Sequence, residues 1–331
     1  MKTIVKVEAI ILILLVLVAA GLYAVNTGML ELLTEPELVQ RTPEPIPQDE
    51  PVVAEEPPVP VQPEAPRKTT ALNLAATRYF AYDLREEAYI THLGDVDASL
   101  YPASITKLLT SYVVLQHMAP EETVTVGEDA LALVEEDSSV AELEVGDVLS
   151  VEQLIAAMML PSGNDAAQVA AVAAGRTIAG DSALDCVAAK QVFVDEMNVQ
   201  ADALGMDNSN FVNPDGWHNE NHYTTMDDLV TLCKEVLKNQ TILKYTSLAE
   251  ETVVLNGREV EWKNTNFLLY SDGEAYVPSA IGLKTGYTGE AGGCLVSAFF
   301  EKDRLILIGV FGGPGFTMDR YLDTVAIYNS L

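Results

Sequence analysis

Two apolar runs near the end of the 331-residue chain, CLVSAFF at residues 294–300 and RLILIGVF at residues 304–311, predict strands of a buried sheet. A third strand is predicted at residues 280–284. Earlier in the chain, residues 77–84 and 88–91 are predicted to form a strand pair joined by a polar turn. Strands therefore lie at both ends of the predicted folded part of the chain.

The region between these strands has mostly helical patterns. We predict an α+β fold, in which an antiparallel sheet from N- and C-terminal strands is flanked by helices, with a central, mostly helical region. A hairpin is also predicted around Asn256-Gly257. The predicted helices are residues 104–118, a helix opened by the capping box of Ser150 and Gln153 and ending at Met159, residues 165–174 with a stop at Gly175, a helix opened by Thr225, and residues 319–328.

The first 66 residues are predicted to be a tether. Residues 1–30 contain an uninterrupted apolar run preceded by lysines, which predicts a membrane anchor or a signal segment with the remainder outside the cytoplasm. Residues 31–66 hold ten of the 16 prolines together with many glutamates, so an extended linker is expected there. Residues 67–331 form the predicted folded domain.

Composition excludes two classes of function. Forty-nine acidic against 19 basic residues give a formal net charge of −30, which argues against nucleic acid as a partner. Three widely spaced cysteines are too few for a disulfide framework or a zinc cluster, so buried or free thiols are expected. His218 and His222 lack zinc-protease spacing, and we expect no metal and no cofactor.

Three short motifs carry candidate chemistry. In the first, Ser104 and Lys107 stand three residues apart at a predicted helix start, so they share a face on which an amine could deprotonate a hydroxyl. The alternative interpretation of this motif is structural: a serine that caps the helix, followed by a surface lysine. In the second, Ser162 and Asn164 occupy a tight turn between two helices. The alternative is an ordinary connection between helices, with Asp165 as the N-cap of the second helix.

The third motif, Lys284-Thr285-Gly286-Tyr287, stands at the end of a predicted strand. An ammonium, a hydroxyl and a strand edge suit a substrate carboxylate and an extended peptide, and the glycine would let another chain approach the backbone closely. A polar strand end is the alternative.

The joint occurrence of these motifs in this order resembles the D-alanyl-D-alanine carboxypeptidases, which are low-molecular-weight penicillin-binding proteins of the active-serine transpeptidase and β-lactamase superfamily. The resemblance covers about residues 67–331. It extends over the stretches 101–110, 160–167, 205–216, 222–229 and 282–295.

The resemblance implies roles for individual residues. Ser104 would be the acylated nucleophile and Lys107 its general base, with Ser162 relaying a proton and Asn164 holding the substrate amide. The resemblance assigns the carboxylate of the substrate to Lys284 and Thr285 on the strand that carries Gly286. It places the oxyanion hole at the backbone N–H groups of Ser104 and Tyr287. Two ammonium groups in one cleft are expected to disfavour each other's charge and so to keep Lys107 neutral.

The implied activity is removal of the terminal D-alanine from peptidoglycan stem peptides through an acyl-enzyme, with β-lactam antibiotics as inhibitors. DD-endopeptidase or β-lactamase activity on the same scaffold, and a penicillin-binding sensor without turnover, are the alternatives. The expected location is outside the cytoplasmic membrane, with the N-terminal segment as the tether, or secreted if that segment is cleaved. A retained anchor is favoured because the chain stops at Leu331, where many relatives continue to a membrane helix. Arg320 is interpreted as a surface or ion-pair residue, with support of the carboxylate site as the alternative.

Overall fold

The strands predicted at the two ends of the folded part meet in one sheet in the computed structural model, which describes residues 72–331. The predicted anchor, the linker and the boundary at residue 67 lie outside the described residues. The strands of the sheet are β1 Arg78–Asp83, β2 Ala88–Leu93, β7 Ala280–Thr288, β8 Gly292–Glu301 and β9 Arg304–Gly313. They lie in the order β2-β1-β9-β8-β7, and each neighbouring pair is antiparallel.

Both faces of β8 and β9 are buried, which explains the nearly continuous apolar runs in these two strands. Leu295 packs into a core beneath the last helix, while its neighbour Val296 packs into the larger core formed with the central helices. Adjacent side chains of a strand point to opposite faces, so both must be apolar.

The central region is helical, as predicted. Its helices are α1 Thr106–His117, α2 Glu128–Leu131, α3 Val151–Met159, α4 Asn164–Ala179, α5 Cys186–Leu204, α6 Met226–Val236 and α7 Gln240–Ser247, and α8 Asp319–Ser330 closes the chain. Two small antiparallel pairs complete the described strands, β3 Thr123–Thr125 with β4 Val148–Ser150 and β5 Glu250–Leu255 with β6 Arg258–Lys263. The predicted capping box of Ser150 and Gln153 and the predicted hairpin at Asn256 are confirmed.

The predicted stop at Gly175 is wrong, because α4 continues to Ala179 and ends at Gly180 in the left-handed conformation. Gly175 serves a different purpose. A Cβ there would lie 1.9 Å from the carbonyl oxygen of Ala189, so the missing side chain lets α4 and α5 pack closely.

Within residues 72–331, no helix is both long enough and apolar enough to cross a membrane. The three cysteines are free, as expected from their number and spacing. Cys233 and Cys294 are buried, and Cys186 is partly exposed.

Candidate active site

Ser104 and Lys107 lie where a short 3-10 turn, Ala103–Ile105, passes into α1. Lys107 is completely buried, and its Nζ lies 2.9 Å from Ser104 Oγ. The same nitrogen donates to Asn164 Oδ1 at 2.7 Å and to the backbone oxygen of Asp215 at 2.8 Å. A neutral amine has two N–H donors, so if these two oxygens accept both, its lone pair faces the Ser104 hydroxyl. The predicted nucleophile and base are therefore in contact.

Burial sets the protonation of this amine. It lowers the pKa of Lys107 from its ordinary value near 10.5 to about 8, while the negative charges of Asp215 and Asp165 oppose the change. A pKa of this size leaves a useful neutral fraction near physiological pH, which suits a general base.

The second motif lies on the turn between α3 and α4. Ser162 is buried and has a φ of 63°, a backbone conformation uncommon for a residue with a side chain. Asn164 is the first residue of α4, and its N–H donates to the Ser139 carbonyl at 2.7 Å. The alternative of Asp165 as a helix cap is wrong, because Asp165 lies within the first turn of α4 and the N-cap residue is Gly163. The Asp165 carboxylate instead accepts N–H groups of residues 141 and 143 and fixes that segment beside the turn.

The third motif lies on β7, an edge strand of the sheet. The Thr285 hydroxyl is 2.5 Å from that of Thr265. A Cβ at Gly286 would lie 2.8 Å from the carbonyl oxygen of Pro102, so the chain that approaches this glycine is the protein's own serine turn. This contact gives the glycine an internal reason, and the expectation that a second chain approaches the backbone here stays a prediction.

Lys284 is also buried, and its Nζ donates to the Thr285 carbonyl at 3.3 Å. Its pKa is held well below the ordinary lysine value, first by burial and then by the positive charges of Lys107 and Arg320. The repulsion between the two lysines, expected to act on Lys107, therefore lowers the pKa of Lys284.

One cavity of about 460 Å³ joins the three motifs. Six of the eight predicted site residues line it, namely Ser104, Ser162, Asn164, Thr285, Gly286 and Tyr287. Lys107 and Lys284 do not line it and are buried. Segments separated by more than 170 positions in the chain thus face a shared space, as the proposed chemistry requires.

Several further residues outside the three motifs lie at this cavity. The Asp215 backbone oxygen accepts from Lys107, and its carboxylate accepts from Gln168 Nε2 at 2.7 Å. The next residue, Gly216, has a φ of 83°, and a Cβ there would lie 1.9 Å from the Ala103 carbonyl oxygen. Asp215 and Gly216 both lie in the stretch 205–216, whose resemblance to the family could have pointed to them. Thr265, Trp217 and Phe316 also line the cavity.

The two histidines have structural contacts. His222 Nε2 lies 2.8 Å from Thr106 Oγ1, and its Nδ1 accepts the N–H of Val212 at 3.2 Å. Burial, and then the charges of His218 and Lys107, lower the pKa of His222 to about 3. His218 lines the cavity and packs edge to face on Tyr101.

The interpretation of Arg320 as a surface or ion-pair residue is wrong. Its side chain is buried, no ion pair involves it among the described residues, and its Nη1 donates to the Gly286 carbonyl at 2.9 Å. The last helix thus places a guanidinium behind the strand of the third motif.

Comparison with known proteins identifies the family. A family profile described as D-alanyl-D-alanine carboxypeptidase matches residues 65–314, three quarters of the chain. The chain belongs to the D-alanyl-D-alanine carboxypeptidase family.

Individual members of this family are moderately similar to the chain. It is 30% identical to D-alanyl-D-alanine carboxypeptidase DacF of Bacillus subtilis over 69% of this chain and 55% of that protein. It is 32% identical to D-alanyl-D-alanine carboxypeptidase DacA of Escherichia coli K12 over 67% of this chain and 52% of that protein. The chain therefore spans about half the length of these two relatives.

Solved structures of the same superfamily share the fold. The Streptomyces K15 DD-transpeptidase superposes with a TM-score of 0.69 and 29% identity over 78% of this chain and 97% of that protein. Penicillin-binding protein D2 of Listeria monocytogenes, solved in a cefotaxime-bound form, gives a TM-score of 0.64 and 25% identity over 78% of this chain and 98% of that protein.

Proposed function

We propose that this member of the D-alanyl-D-alanine carboxypeptidase family is a serine-type enzyme that removes the terminal D-alanine from peptidoglycan stem peptides. The observation that carries the proposal is the contact of Ser104 Oγ with a completely buried lysine whose pKa lies near 8. A serine hydroxyl is a weak nucleophile until an adjacent base accepts its proton. The Lys107 amine is positioned for that task.

In the first step Ser104 Oγ attacks the carbonyl carbon between the two D-alanines, and the serine proton passes to Lys107 Nζ. The bond from that carbon to the leaving nitrogen then breaks, and the nitrogen receives a proton through the Ser162 hydroxyl. Free D-alanine leaves, and a serine ester remains. Asn164 orients the substrate amide and also accepts a hydrogen bond from Lys107.

In the second step water adds to the ester carbonyl and gives a proton to the base. The ester bond breaks, Ser104 regains its proton and the shortened peptide departs. During both steps negative charge develops on the carbonyl oxygen, which the backbone N–H groups of Ser104 and Tyr287 would stabilise. Both residues line the cavity.

The terminal carboxylate of the substrate would bind at Thr285, with the cationic charge supplied by Lys284. An anion placed there favours the protonated amine and raises the lowered pKa of Lys284. Strand addition to the free edge of β7 would hold the peptide extended across Ser104. A β-lactam would acylate Ser104 in the same way and so act as an inhibitor.

The test uses the full chain and a peptide that ends in D-Ala-D-Ala. We expect stoichiometric release of free D-alanine and a penicillin adduct on Ser104. A penicillin adduct without D-alanine release would favour the sensor alternative, and fast nitrocefin turnover would favour a β-lactamase. Absence of both the adduct and D-alanine release would refute the proposal.

Acyl transfer to an amine is a second candidate outcome, favoured by the similarity to the Streptomyces K15 DD-transpeptidase. Adding glycine to the same reaction distinguishes it from hydrolysis. Transfer yields a peptide in which glycine replaces the lost D-alanine, whereas hydrolysis yields only the shortened peptide.

We also propose that the enzyme acts outside the cytoplasmic membrane and is tethered by residues 1–30. The apolar run there, the lysines that precede it and the location of peptidoglycan support this proposal. Fractionation of cells that express the full chain tests it. A tethered enzyme stays in the membrane fraction at high salt and is digested by protease added to spheroplasts, whereas a cleaved form would appear in the medium.

A further inference from the structure

An exposed aromatic residue stands at the cavity on the loop between β9 and α8. Phe316 is 68% exposed and lines the same cavity as Ser104. The loop that carries it is braced, because the Thr317 hydroxyl lies 2.8 Å from the Pro314 carbonyl oxygen and 2.7 Å from Asp319 Oδ2. A large apolar side chain that is exposed to solvent at the mouth of a cleft is suited to contact a ligand.

The ring of Phe316 has two aromatic or cationic neighbours. It lies over the Arg320 guanidinium, with 4.5 Å from the guanidinium carbon to the ring centroid. It also meets the Tyr287 ring edge to face, with 5.7 Å between centroids. These contacts favour this position of the ring and join it to the exposed Tyr287 side chain as an aromatic pair.

The position of this pair follows from Arg320. The guanidinium donates to the carbonyl oxygen of Gly286, the residue directly after Thr285. The ring that covers the guanidinium therefore stands beside the proposed carboxylate site. A peptide that ends in its carboxylate fits in front of the pair, whereas a peptide that continues would have to pass it.

We propose that Phe316 determines specificity by closing the cleft, together with Tyr287, beyond the terminal carboxylate of the substrate. This rests on the proposed function, and it narrows the substrate class to peptides in which the leaving D-alanine carries a free carboxylate. Peptides that continue beyond this carboxyl group are excluded because their additional atoms would overlap the aromatic pair. The enzyme is then an exopeptidase for a steric reason, independent of the charge of Lys284.

The experiment compares two substrates that differ by one residue. The first ends in D-Ala-D-Ala, and the second carries one glycine joined to that terminal carboxyl group, so that cleavage of the same bond releases D-Ala-Gly. Selectivity is the ratio of the two kcat/KM values. We expect the wild type to prefer the first substrate and Phe316→Ala to lower this ratio by about tenfold or more, a size typical of relieving steric exclusion in a pocket.

Phe300→Ala is the matched control, since Phe300 is exposed on β8 and does not line the cavity. It should leave the ratio unchanged. Phe316→Trp keeps an aromatic ring at the position and should keep at least the wild-type ratio, which tests the proposal even if the alanine variant is unstable.

The outcomes separate the two proposals. If the wild type releases D-alanine from the first substrate but Phe316→Ala keeps the wild-type ratio, the role of Phe316 is overturned and the proposed function stands. If the wild type cleaves both substrates equally well, the role is overturned as well. If it releases no D-alanine from the first substrate, the proposed function fails and the specificity role fails with it.

Discussion

The charge of Asp215 should control the pH at which Ser104 is acylated. Its negative charge favours the protonated form of Lys107 and so opposes the lowering of the pKa by burial. Replacing Asp215 by asparagine removes that charge but keeps the backbone oxygen that accepts from Lys107 Nζ. The surroundings can accommodate the asparagine amide, because the buried Gln168 Oε1 has no hydrogen-bond partner among the described residues. It can accept from that amide once the side-chain amide of Gln168 rotates by half a turn.

The expected shift follows from the starting pKa. With a pKa near 8, about 9% of Lys107 is neutral at pH 7 and about 91% at pH 9. Loss of one nearby opposite charge should lower the pKa by about one unit, which makes about half of the lysine neutral at pH 7. Acylation of Asp215→Asn should therefore be about fivefold faster at pH 7 and nearly unchanged at pH 9.

The assay is the second-order rate of covalent labelling by a fluorescent penicillin between pH 5.5 and 10. Asp195→Asn serves as the control, since it changes the net charge equally at an exposed position on α5. Its midpoint should coincide with that of the wild type. A midpoint for Asp215→Asn that stays in place or moves to higher pH would refute the assignment of Lys107 as the base.

Three further substitutions test the site. Ser104→Ala should give no penicillin adduct by intact mass, and a retained adduct would remove the serine from its role. Gly216→Ala should lower the free energy of unfolding by more than about 2 kcal/mol in chemical denaturation, because its Cβ would lie 1.9 Å from the Ala103 carbonyl oxygen at a φ of 83°. Lys284→Met should raise that free energy by about 1–2 kcal/mol while slowing penicillin capture, since it removes a buried cation that has no acidic partner within residues 72–331. Because folding lowers the pKa of Lys284, the unfolded chain binds more protons, and wild-type stability should rise with pH towards the ordinary lysine value near 10.5. The methionine variant should show a weaker rise, and an unchanged slope would contradict the reasoning.

The fold could be predicted as far as local patterns determine it. Apolar runs and turn residues predicted the five strands of the main sheet, and the capping box predicted the start of α3. Helix α5 was missed although Asp185 caps its start and Gly205 ends it in the left-handed conformation. The continuation of α4 through Gly175 could not be predicted, because its reason is the backbone of another helix.

The sequence predicts which residues form the candidate site, but it does not predict how these residues are arranged in space. The three motifs have recognisable spacings, and six of their residues line one cavity. Phe316 has no motif around it. Its place at the cavity depends on contacts with Arg320, which belongs to no motif, and with Tyr287, which lies far from it in the chain. Contacts between distant segments are set by tertiary packing, which residue spacing does not encode.

The pKa values of the two lysines could not be predicted from residue spacing either. From sequence alone, two amines near one cleft suggest mutual repulsion, but the larger effect is burial, whose extent only the packed fold defines. Burial without an acidic partner costs stability, and a hydrophobic residue at either position would fold more favourably. Lys107 offsets part of that cost by hydrogen bonds to Asn164 and to the Asp215 backbone. In the part of the chain that the structure describes, Lys284 has a longer hydrogen bond, to the Thr285 carbonyl oxygen, and no acidic partner, so the carboxylate of a substrate can supply that partner.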